Sequence, residues 1–86
     1  MLDLDLDIAR GRQAGQLLDS EAFRGVYKEE IDATLNAIRY SRPTDVDGRE
    51  TAVKYLNALD RLTQRLEGIR DSGKMAESQK SRTATS

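Results

Sequence analysis

A single proline, Pro43, interrupts two long stretches in which apolar residues recur every three or four positions. Proline cannot donate to a helical ladder, and it pushes Arg42 away from helical angles, so the two stretches must be separate helices joined by a turn. Before the turn, "SEAFRGVYKEEIDATLNAIRYS" places Phe23, Tyr27, Ile31, Thr34, Leu35 and Ile38 on one helical face. Ser20 suits the N-cap, and Glu21 suits the positive end of the helix dipole. After the turn, Asp47 followed three residues later by Glu50 reads as a capping box with aspartate as the cap. Val53, Leu56, Leu59, Leu62, Leu66 and Ile69 then share a face, and Gly73 stands where a helix commonly ends. Residues 20–73 are therefore expected to form an antiparallel αα-hairpin.

The opening "DLDLDLD" admits three conformations. As a strand it would expose leucines on one face and aspartates on the other, but the chain offers no second strand to pair with. As a calcium loop it fails, because Ile8 and Ala14 stand where glycine and a bidentate glutamate are needed. As a helix start, its aspartates are favoured by the dipole. The expectation is a weak helix beginning near Asp5 or Asp7, within residues 1–19 and preceded by an arm, "MLDLDL". Leu6, Ala9, Gln13 and Leu17 form its face, which Leu4, Ile8 and Leu18 broaden. Gly11 and Gly15 each cost that helix about 1 kcal/mol relative to alanine. At the other end, "KMAESQKSRTATS" is too polar to bury much surface, so residues 74–86 read as a tail, flexible or docked on a partner. The fold class is all-α.

With 86 residues and neither cysteine nor histidine, the chain lacks the disulfides and most metal sites that support small cores. Association is the remaining support. The lack of cysteine fits a reducing compartment, and no apolar run matches a membrane span or signal peptide. These features lead us to expect a soluble protein without a membrane role. A net charge of −1 argues against bulk electrostatic binding to nucleic acid. An enzyme is not expected. Glu29, Glu30 and Asp32 diverge around a helix rather than forming an acid/base pair, and "GRQAG" lacks the Lys and Ser/Thr of a phosphate loop. No cofactor or metal is implied.

Two surface features stand out. On the first long helix the apolar arc is too wide for one partner helix to cover, because Val26, Ala33, Ala37 and Tyr40 adjoin the Phe23–Tyr27 face. Phe23, Val26, Tyr27, Ala33, Ala37 and Tyr40, with Tyr55, are the candidate interface: the alanines permit close approach, and tyrosines combine apolar area with a hydroxyl. The N-terminal helix covering that arc within one chain is the simpler possibility. The second feature is a basic stripe of Lys54, Arg61 and Arg65. Solvent is its commonest neighbour; a carboxylate such as Glu29 or Asp32 of another subunit comes next, and a nucleotide or nucleic-acid phosphate last.

"LLDSEAF", "EIDATLNAIRYSRPTDVDGRE" and "LNALDRLTQRLEGIRDSGKM" resemble small helical-hairpin proteins encoded among the structural genes of tailed bacteriophages. The likeness spans about residues 17–75 and is a pattern of caps and leucine spacing, with no functional residue to carry over. It implies a phage origin and a non-enzymatic role. The expected function is an accessory protein of virion structure or assembly, found in the virion or the host cytoplasm, that associates with itself or with a larger structural protein. One alternative is a binding module that sequesters or inhibits a host defence factor, holding an anion through Lys54, Arg61 or Arg65. Another is a minor regulator that touches nucleic acid.

Overall fold

A computed structural model describes residues 3–85; Met1 and Leu2 of the expected arm lie outside them. Three helices and no strand make up the described residues: α1 (Leu4–Asp19), α2 (Glu21–Arg39) and α3 (Val46–Thr85). The all-helical class follows directly. α1 begins just before the expected Asp5, because Asp3 caps it: the Asp3 carboxylate accepts from the Leu6 amide at 3.1 Å. Asp5 and Asp7 occupy its first turn, where the dipole favours them.

Only one residue separates α1 from α2. Ser20 takes an extended conformation (φ −63°, ψ 128°), and its hydroxyl accepts from the Phe23 amide at 3.3 Å, the expected N-cap. α2 stops at Arg39, ahead of Pro43. The start of α3 differs from expectation. Asp45, not Asp47, supplies the cap, and its carboxylate accepts from the Gly48 amide at 3.0 Å. Two aspartates two residues apart compete for one role, and Asp45 is the one that follows the turn directly.

α3 runs 40 residues and passes through Gly73 without a break. The stretch read as a polar tail is thus, through Thr85, the last part of a helix; Ser86 lies outside the described residues. It holds its place through small residues: Gly73 and Ala76 are buried. A composition poor in large apolar groups can still pack when the opposing face is equally small.

The three helices keep one register. Asp5 meets Lys80, Gly11 meets Gly73, Gly15 meets Arg70 and Glu30 meets Tyr55. The numbers rise along one limb as they fall along the other, so α1 and α2 follow one another along α3, both running against it. At the inner seam of α3, Ala52, Leu56, Leu59, Thr63, Leu66, Arg70, Gly73 and Glu77 alternate steps of four and three, and none is exposed. This 3.5-residue period is that of a left-handed coil of helices. The opposing row runs through Leu4, Ile8, Gly11, Gly15 and Leu18 of α1, then Tyr27, Ile31, Thr34 and Ile38 of α2.

The α1 face therefore differs from the expected one. Leu6, Ala9, Gln13 and Leu17 are exposed, whereas Ile8, Gly11 and Ala14 are buried. The physical reason lies at Gly11, where a Cβ would come 2.6 Å from the Gly73 Cα. The two backbones touch, as only glycine permits, and the leucines are left outside. Arg12 donates to Glu77 at 2.9 Å beside this seam, and Lys80 pairs with Asp5. These pairs are solvent-exposed, so they set register more than they add stability.

Two limbs do not enclose a core. Ile8, Ala14 and Ala76 are the buried apolar residues described, and no described side chain is fully buried. The buried Thr34 hydroxyl donates to the Glu30 carbonyl at 2.8 Å. The radius of gyration is 18.5 Å, against about 12 Å for a compact chain of this length.

Candidate interaction site

The seam divides the surface of α2 and the first half of α3 into two unlike faces. Tyr55 and Leu62 lie along one edge of the α3 seam, at a seven-residue step. The Tyr55 hydroxyl crosses to α2 and donates to a Glu30 carboxylate oxygen at 2.8 Å, which marks this edge on both helices. On α2 the same edge carries Ala37, with Val26, Ala33 and Tyr40 in the next row outward. On the opposite edge, α3 places Val46 and Val53 but then Asp60 and Glu67, and α2 places Lys28 and Leu35. One face is apolar and nearly uncharged; the other mixes valines with charge.

The candidate interface residues fall into two groups. Val26, Ala33, Ala37, Tyr40 and Tyr55 are exposed on the uncharged face, with Tyr40 at 75% exposure beneath the Arg39 guanidinium, 5.6 Å from the ring centroid. Phe23 and Tyr27 are half-buried, with ring centroids 6.0 Å apart. They line a hollow with Thr63 and Glu67 of α3, so they serve the seam within the chain. α1 does not cover the arc, because it lies along the other half of α3. Leu62, expected in the core, is 51% exposed and belongs to the uncharged face. Its seven-residue spacing from Tyr55 is the sequence signal that places it there.

The basic stripe does not converge. Lys54 borders a hollow with Val46, Val53 and Ile38, while Arg65 borders a separate one with Asp7, Arg10 and Ser72. Arg61 lies one outer row beyond the uncharged face, seven residues after Lys54. Among the described residues no group of three or more His, Cys, Asp or Glu side chains is placed to hold a metal ion. No described helix is long and apolar enough to cross a membrane.

The Tyr55 phenol is held above its ordinary value of 10.0, first by its hydrogen bond to Glu30, then by desolvation and by the Glu30 charge. The neutral phenol is the donating form, so the bond contributes fully below the unfolded value. It is lost as pH rises through the raised folded value. Glu30→Gln is expected to bring Tyr55 back toward 10.0. Phenol absorbance against pH, in a Tyr27→Phe/Tyr40→Phe background, measures it. An unchanged titration would show that the cross-seam bond is not made.

The fold and the site thus define a class, an all-helical protein with an uncharged apolar face and no described metal cluster. No family model, curated protein or solved structure matches the chain.

Proposed function

We propose that the protein is a non-enzymatic assembly component that works by helix-mediated association with copies of itself or with a larger structural protein of a tailed-phage particle. One observation carries this reading: the chain exposes 6904 Å², about 1,800 Å² more than a compact monomer of its mass. A protein with so little interior gains its missing burial from a partner. Within the chain, α2 and the first half of α3 act as an antiparallel hairpin that presents the uncharged face, and α1 with the end of α3 extends it as an arm. The resemblance to hairpin proteins of phage structural genes supports a site of action in the virion or in the infected host's cytoplasm. The separation of Lys54 from Arg65 tells against a shared anion pocket, and so against sequestration of a nucleotide.

Expression of a tagged copy during infection, followed by sedimentation of particles and assembly intermediates, tests the reading. The wild type is expected to co-sediment with them. Ala37→Asp is expected to abolish this, and Arg61→Ala to leave most of it. Absence of the wild type from every particle fraction would overturn the assembly role.

A further inference from the structure

The uncharged face has a specific geometry that goes beyond association in general. We infer that its occupant is a second copy of this chain, packed face to face about a twofold axis parallel to the helices, so that α2 of each protomer lies on α3 of the other in a four-helix bundle. This deepens the proposed association and rests on it.

Area, shape and charge carry the inference. The surplus surface of the whole chain, about 1,800 Å² spread over both limbs, leaves room for the roughly 800 Å² per partner that a stable interface buries. The face alternates large and small side chains: Val26 and Tyr40 flank Ala33 and Ala37 on α2, and Tyr55 and Leu62 flank Ala58 on α3. A twofold contact requires a self-complementary patch, and a face offering both knobs and holes while lacking net charge meets that requirement. Its charges are opposite in sign: Glu30 is engaged by Tyr55, and the Arg39 guanidinium lies over the Tyr40 ring.

The rims then select the axis. Glu29 lies in the row of α2 farthest from the seam, and Lys54 and Arg61 in the matching row of α3, which borders both faces, Lys54 also reaching the hollow of Val46 and Val53. Glu30 is level with Tyr55, so Glu29 is level with Leu56, about 3 Å along the helix from Lys54 and ~7.5 Å from Arg61. An axis parallel to the helices preserves that level and sets Glu29 of each protomer between Lys54 and Arg61 of the other. An axis across the helices would instead oppose α2 to α2 and Glu29 to Glu29. With the parallel axis, two of the three basic residues gain an anionic neighbour.

Light scattering across a dilution series of the full chain tests this, with circular dichroism as the control for folding. The wild type is expected at twice 9.6 kDa. Leu62→Asp, on the exposed face, is expected to give a helical monomer at concentrations where the wild type is a dimer, whereas Val53→Asp on the opposite face leaves the dimer intact. Lys54→Glu/Arg61→Glu is expected to weaken the dimer at least about tenfold, and adding Glu29→Lys to restore it. Because the chain has no cysteine, paired cysteines report the face directly: a Val26→Cys chain mixed with an Ala58→Cys chain is expected to cross-link between protomers, since the parallel axis sets those levels together, and Asn57→Cys is not. A wild-type monomer at all concentrations would overturn the inference, as would cross-linking through Asn57→Cys alone or no rescue by Glu29→Lys. A monomer that still enters particles through this face would assign it to a larger protein and leave the assembly role standing. A dimer of the expected symmetry that never meets a particle would do the reverse.

Discussion

Replacing Gly73 with alanine is expected to destabilise the protein by about 1–3 kcal/mol, the usual cost of overpacking a tight contact. The sign is informative because intrinsic propensity points the other way: glycine in a helix interior costs about 1 kcal/mol relative to alanine. A Cβ on Gly73 would stand 2.7 Å from the Gly11 Cα and 3.0 Å from the Asp7 carbonyl oxygen. Both are backbone atoms, which cannot swing aside as a lysine tip can, so α1 must lift from α3. Gly68 is the internal control. It lies in the same helix with nothing within 4 Å of its would-be Cβ, and Gly68→Ala is expected to stabilise by up to ~1 kcal/mol. Urea unfolding followed by circular dichroism, at one fixed protein concentration, gives both midpoints. If Gly73→Ala raised the midpoint as Gly68→Ala does, the close crossing of α1 and α3 would be disproved.

The same pair of glycines marks where the sequence was legible and where it was not. Ser20 and the end of α2 before Pro43 are local chemistry, one hydroxyl for one amide and one ring that blocks a ladder, and both read directly from the chain. Gly73 reads equally well as a helix stop or as a place of close approach, and only the residue facing it decides. That residue is Gly11, 62 positions away, which by itself reads as a weak point of α1. The face of α1 departs from the leucine pattern for the same reason: leucine is the usual inward residue, but Leu6 and Leu17 stay outside, 54% and 43% exposed, because the glycine contact sets the distance. The helical end of α3 was hidden by composition, although Gly73, Ala76, Glu77 and Lys80 continue the three–four spacing. For the candidate site, the alanines and tyrosines of α2 were legible as an arc too wide for one neighbour. That α1 would lie along the other half of α3, rather than over that arc, depends on the single-residue break at Ser20.

Arg49 is where the second large effect is expected, because it holds the turn that fixes α2 against α3. Its guanidinium donates to the Arg42 carbonyl at 2.6 Å, to the Pro43 carbonyl at 3.0 Å and to the Ser41 hydroxyl at 3.4 Å. The fork reaches back over the turn from the first part of α3. Around it, Ser41 donates to the Ile38 carbonyl at 2.7 Å, and the Asp45 amide donates to the Arg42 carbonyl at 2.9 Å. Hydrogen bonds from a charged donor contribute about 1.5–3 kcal/mol each and share their effect when they act together, so Arg49→Ala is expected to cost about 2–3 kcal/mol. Lysine carries the charge but not the planar fork, so Arg49→Lys should lose a substantial part of the same energy. Thermal unfolding measures both, and amide exchange around Ser41 and Asp45 localises the loss to the turn. A lysine variant as stable as the wild type would show that charge alone holds the turn. The seam between α2 and α3 is thus pinned at the turn by the Arg49 fork, and farther along, beside the uncharged face, by the Tyr55–Glu30 bond, which should fail as the phenol ionises.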